Sequence, residues 1–139
     1  MGLFKKKRSI DDIAEQGNAL FEEENYMKAI DVWKEGLDSI KKPLNMQGEA
    51  VWFQTSIADA YYMLDNYEKA YEYLMDAKSN ISGEGYNNPF VMLRLGQCCY
   101  ELNKGDTQEY LMRAYMLAGK EIFEDEEDKY FKCIQELVK

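Results

Sequence analysis

Cys98 and Cys99 stand side by side in LRLGQCCYELN, and the only other cysteine of the 139 residues is Cys133. Adjacent thiols can form a vicinal disulfide, ligate a metal or work as a redox pair, but the chain lacks the groups such chemistry recruits. It has no histidine, the side chain that most often moves protons near neutral pH and the commonest metal ligand. Without one, neither a Ser/His/Asp nor a Cys/His nucleophile system can be built. Structural zinc usually takes C-x-x-C pairs completed by histidine, a spacing these three cysteines do not provide. An odd cysteine count also fits a reducing compartment better than a disulfide framework.

Carboxylates are the other abundant reactive groups, in Glu22-Glu23-Glu24 and in Glu124-Asp125-Glu126-Glu127-Asp128. Neither run has the D-x-D-x-D-G spacing of a calcium loop, and no glycine motif cradles a phosphate. Such runs read as solvated faces or helix starts, where acids suit the positive end of the macrodipole. The expectation is a protein that is not an enzyme, with no catalytic residue, cofactor or metal site.

Something must nevertheless hold the chain together. Apolar residues make up 46% of it and aromatics 14%, and they recur in helical order with only two prolines. That pattern predicts an all-α domain with a real core. No apolar run is long enough to span a membrane, and MGLFKKKRSI lacks the apolar stretch of a secretory signal, so a cytoplasmic location is expected. The net charge is −9 although Lys5, Lys6, Lys7 and Arg8 cluster at the start, so the rest of the chain is more acidic still. An acidic body repels nucleic acid and favours a basic protein partner.

A repeat organises the helices. GNALFEEENYMKAIDVWKEGL from Gly17 and ADAYYMLDNYEKAYEYLMDAK from Ala58 share Asn-Tyr at a turn and small residues at matching steps. The small residues are Gly17, Ala29 and Gly36 in the first unit and Ala58, Ala70 and Ala77 in the second. Each unit reads as a helix, a turn at Asn25-Tyr26 or Asn66-Tyr67, and a second helix lying close against the first. Neither pair buries its apolar face alone, so stacking follows. A third unit opens at Asn88-Pro89, an N-cap followed by proline at the first helical position. Gly96 is its first small residue, followed by Thr107 and Ala114; a rival register makes Gly105-Asp106 the turn and puts Tyr110 in a small slot. In EEDKYFKCIQELVK, the stripe Tyr130, Phe131, Ile134, Leu137 and Val138 predicts a terminal capping helix.

These units resemble tetratricopeptide repeats (TPRs) over about residues 10–118, most closely in NALFEEENYMKAIDVWKEGL. They recur at Gly17, Ala58 and Gly96, spacings longer than the roughly 34 residues of a regular array, which predicts longer loops at 41–48 and 80–88. The resemblance implies three TPR-like helix-turn-helix pairs stacked as a short right-handed solenoid with a C-terminal capping helix. The expected layout is a basic arm at 1–9 and a single domain at 10–139. Within it lie units at about 10–42, 48–80 and 88–118, and a cap at about 125–138. The register puts Cys99 where Leu20 and Tyr61 fall and Cys98 where Ala19 and Ala60 fall, so the thiols read as packing.

TPR proteins bind other proteins on the face lined by the first helix of each pair. Carried over by register, the resemblance places Asn18, Phe21 and Glu22 of unit one on that face. Unit two contributes Trp52, Thr55, Asp59 and Tyr62, and unit three Phe90, Arg94, Gln97, Tyr100 and Glu101. One TPR subset grips a peptide's C-terminal carboxylate with two lysines, two asparagines and an arginine. Here Asn18 and Arg94 match, but Ala14, Ser56 and Phe90 replace a lysine, an asparagine and a lysine, which argues against that ligand. The third unit and LMRAYMLAGKEIFED also resemble small bacterial TPR proteins encoded beside polymorphic toxins. That likeness implies an immunity protein whose acidic body neutralises a basic toxin domain. The alternative is a general adaptor or secretion chaperone that holds an extended peptide in the groove.

Overall fold

The computed structural model describes residues 8–139, so Lys5, Lys6 and Lys7 of the basic arm lie outside the described residues. Among the described residues there are seven α-helices and no strand. They are α1 (Ile10–Glu22), α2 (Tyr26–Asp38), α3 (Ala50–Met63), α4 (Tyr67–Lys78), α5 (Pro89–Glu101), α6 (Thr107–Ala118) and α7 (Asp128–Lys132). The densest packing joins α1 to α2, α3 to α4 and α5 to α6, and the pairs stack through α2 on α3 and α4 on α5.

Each pair turns by the same device. Glu24, Asp65 and Asn103 all adopt left-handed backbone, at φ 60°, 60° and 56°. This lets the amides of Asn25, Asn66 and Lys104 donate back to the carbonyls of Leu20, Tyr61 and Cys99 at 2.8–2.9 Å. The result is a Schellman end on all three first helices, satisfying carbonyls that the helix itself leaves open. Asn25 and Asn66 are the cap residues, and Tyr26 and Tyr67 already belong to the second helices.

Small residues let the paired helices touch. A side chain at Gly17 would collide with the indole of Trp33, whose Nε1–H donates to the Ala14 carbonyl at 3.2 Å. Gly96 plays the same part under Leu111. Counted from the helix caps, Ala29 and Ala70 are the fourth residues of α2 and α4, and the fourth residue of α6 is Tyr110, which is buried with its hydroxyl 2.8 Å from Lys78 Nζ. Thr107 is the first residue of α6 and only half-buried, so the rival register, with Tyr110 in a small slot, is the one the structure adopts. Gly105 and Asp106 do lie in the turn, because α6 begins only at Thr107. Around these contacts Ile30, Trp33, Phe53, Ile57, Leu74, Leu95 and Leu111 form one continuous core.

The two long loops also pack together. Asn80, 3% exposed, donates through Nδ2 to the carbonyls of Leu44 and Gln47, and the Ile81 amide donates to Asn45. Gly85 sits against the Ala77 carbonyl where no Cβ would fit, which brings the Ser82–Tyr86 stretch close to the end of α4.

The C-terminal cap departs from the expected helix at 125–138. Only Asp128–Lys132 is α-helical, followed by a single 3-10 turn at Gln135–Leu137. The Cys133 carbonyl, which a continuing helix would use, instead accepts from Gln108 Nε2 at 2.9 Å. Tyr130 and Ile134 of the predicted stripe are buried, while Leu137 is exposed. Among the described residues no helix is long and apolar enough to cross a membrane.

Candidate protein-binding groove

The first helices of the pairs, α1, α3 and α5, form one face of the stack, and its two ends differ. Toward units one and two the face is open. Trp52 is 43% exposed and is held upright by edge-on contacts with Trp33 at 5.8 Å and Phe53 at 5.2 Å. Phe21 packs beside Trp33 at 6.0 Å and Tyr26 at 5.0 Å, half-buried, with Asn18 and Glu22 exposed on the same helix. Locking a large aromatic ring in one orientation while leaving its surface wet is how protein contacts gain area at low entropic cost.

Next to Trp52 a cleft of about 360 Å³ separates the start of α3 from the start of α5. Trp52, Thr55 and Asp59 of α3 line it, with Phe90 of α5, Asn88 and Glu84. Asn88 fixes the cleft's far wall by capping α5, its Oδ1 accepting from the amides of Phe90 at 2.8 Å and Val91 at 3.2 Å. Glu84 is placed by Gly48, against which its carboxylate rests just ahead of α3, the positive end of that helix. Thr55 Oγ1 is shielded from solvent and makes no hydrogen bond to any described residue.

At unit three the same face is closed by the chain itself. Arg94 is 7% exposed and Gln97 is 0% exposed. Arg94 Nε donates to Asp59 Oδ1 at 3.0 Å, and its Nη1 donates to Gln97 Oε1 and Glu126 Oε1, both at 2.7 Å. Gln97 Nε2 donates to the same Glu126 oxygen at 2.7 Å. The guanidinium also lies 4.2 Å over the ring of Tyr62 and 4.7 Å over that of Phe90. Beside it Tyr62 donates to the Tyr130 hydroxyl at 3.1 Å, and Tyr130 donates to Glu101 Oε2 at 2.8 Å, where Lys129 Nζ also binds at 2.9 Å.

Arg94 and Gln97, expected to face a partner, are instead buried and engaged within the chain, both donating to Glu126 Oε1. Tyr62 and Glu101 are likewise engaged by Tyr130, while Tyr100 keeps 38% of its surface exposed beside Tyr130. The acidic run had no feature marking Glu126 as the inward residue among its five members. Glu84 was hidden too, because the repeat spacing marks 80–88 only as a long loop.

Burial and charge shift several groups. Desolvation raises the Asp59 carboxyl above its ordinary value despite Arg94, so its negative charge is only partly compensated. Burial alone would raise Glu101, but hydrogen bonds from Lys129 and Tyr130 hold it below the usual carboxylate value. Desolvation pushes the Cys98 thiol up to about 12 and Cys99 to about 11. Both cysteines are 0% exposed and unpaired, so they are packing atoms and not a nucleophile. Cys98 and its counterpart Ala60 are fully buried, whereas Ala19 is exposed. Among the described residues no three His, Cys, Asp or Glu side chains converge as metal ligands would.

No protein-family model matches the chain, and no curated protein matches it. Among solved structures it is similar to the first TPR of Spaghetti (RPAP3) bound to HSP90 peptide SRMEEVD. The two superpose with a TM-score of 0.70 at 22% identity, over 94% of this chain and 96% of that one. At that identity the likeness establishes the architecture: stacked TPR-like helix pairs forming a helical solenoid, closed by a C-terminal helix.

Proposed function

We propose that this chain is a non-enzymatic binding module that holds an extended segment of another protein along the open face of α1 and α3. The observation that carries the reading is Trp52, rigidly supported yet exposed beside the cleft at the α3–α5 boundary. An anchor aromatic at the rim of a preformed concavity suits an extended peptide, whose side chains alternate into and out of a groove. The structurally similar TPR domain was solved with a bound peptide, which supports the same mode here. The adaptor role is thus the preferred form of the proposal.

The test is selection of random dodecapeptides on the immobilised chain, with Trp52→Ala selected in parallel. Retained peptides should bind the native chain in calorimetry and lose at least about ten-fold in affinity on Trp52→Ala, as truncated aromatic anchors do. If no peptide is retained, the groove reading fails.

The acidity of the chain favours a second reading, in which the partner is a folded basic toxin domain and the chain is its immunity protein. It predicts protection of cells that co-express the toxin domain, and no competition for that domain by short peptides.

A further inference from the structure

We infer that the cleft between α3 and α5 receives a lysine or arginine side chain of the bound segment, so that the module selects basic partners. The inference rests on the groove reading above and adds to it the chemistry of the ligand.

Two carboxylates line the cleft, Asp59 and Glu84, and among the described residues no lysine or arginine does. Arg94 stands behind Asp59 but shares its single charge between Asp59 and Glu126, so that group keeps one negative charge in surplus. The cleft walls are the rings of Trp52 and Phe90. Such walls cover the aliphatic stem of a long cationic side chain and attract its charged head. A cation entering the cleft meets two carboxylates, of which Asp59 is shared with Arg94 and Glu84 is not, and two aromatic rings, of which Phe90 also carries the Arg94 guanidinium at 4.7 Å. An acidic side chain meets two carboxylates, offset in part by the positive ends of α3 and α5.

The same reasoning sets this chain apart from the similar domain, whose peptide SRMEEVD carries Glu-Glu and a terminal Asp. Here the one arginine on the inner face of α5 is already committed to internal carboxylates. An acidic tail therefore finds no free cation in the cleft.

The experiment extends the dodecapeptide selection. Retained peptides should be enriched in lysine or arginine, and replacing that cation by norleucine or citrulline should weaken binding at least about ten-fold, as loss of a half-buried charged hydrogen bond does. Glu84 is exposed, so Glu84→Gln leaves the core intact; it should weaken the same peptides about three- to five-fold, and Glu84→Lys more. Asp59→Asn should have the larger effect, with circular dichroism confirming that the fold persists. Retained peptides that are neutral or acidic, or that ignore both Glu84 variants while still needing Trp52, overturn the inference and leave the groove reading standing. Failure to retain any peptide overturns both.

Discussion

Replacing Arg94 by methionine keeps much of the bulk and removes the charge at the centre of the closed end of the groove. The loss can be worked from the contacts. Three charge-assisted hydrogen bonds at 2.7–3.0 Å disappear, with the stacking on Tyr62 and Phe90. Asp59 and Glu126, whose side chains are 21% and 18% exposed, then face each other's charge with no cation between them. Breaking a buried pair by removing one partner costs about 3–5 kcal/mol, a large share of the roughly 5–15 kcal/mol that holds a domain of this size. The cost should also depend on pH in a definite direction. Asp59 already has a raised folded-state pKa, and both contributions that lower it come from Arg94. In the variant its pKa rises further, so protonation relieves the stranded charge. A raised carboxyl favours folding below its unfolded pKa and loses that benefit as pH climbs through the folded value. The penalty should therefore shrink on acidification. Urea unfolding followed by circular dichroism at pH 7 and pH 4.5 measures both quantities. A penalty under about 1 kcal/mol at pH 7, or one equal at the two pH values, would refute the view that Arg94 locks the cap through its charge.

The buried thiols give a second pH dependence. Because folding holds Cys98 and Cys99 up to about 12 and 11, the unfolded chain ionises first, and stability should fall from about pH 8.5 upward by as much as about 1.4 kcal/mol per pH unit for each thiol. Urea titrations at pH 8 and pH 10 should show a steeper loss in the native chain than in Cys98→Ala/Cys99→Val; equal losses would contradict the placement of these thiols. Glu24 occupies a left-handed position that an ordinary side chain resists, so Glu24→Gly or Glu24→Asn should raise stability by about 0.5–1 kcal/mol, read as a higher melting temperature.

The fold was legible because its periodic features are local. Gly17, Ala58 and Gly96 mark helix contacts by size alone, and Asn88-Pro89 announces a helix start by hydrogen-bonding capacity and ring geometry. Trp52 was equally accessible, since its position in the repeat places it on the first-helix face. Arg94 and Gln97 carry the same positional signature, yet they are buried by a segment some thirty residues downstream. Repeat register places a residue on a face but does not say what later covers that face. The capping helix is present but shorter than its spacing predicts, for a related reason: the stripe from Tyr130 to Val138 has helical spacing, but Gln108 takes the Cys133 carbonyl and the helix stops.

Asp59 belongs to both ends of the groove, since it lines the cleft and also holds Arg94 against Glu126. A cation bound in the cleft neutralises the surplus charge of that network, and Arg94 is then shared between fewer unmet demands. Binding should therefore tighten the hold of Arg94 on Glu126, and through Tyr62 and Tyr130 the hold of the whole cap. By linkage, whatever binds the folded state at the cleft stabilises the elements whose opening would dismantle it. Amides of Asp128–Lys132, far along the chain from Trp52, should thus exchange more slowly when a selected cationic peptide is present. In Arg94→Met this remote protection should vanish while protection around Trp52 remains. Protection confined to α3 in the native chain would mean that the cleft and the cap are energetically independent, and that Asp59 is a shared wall without being a shared switch.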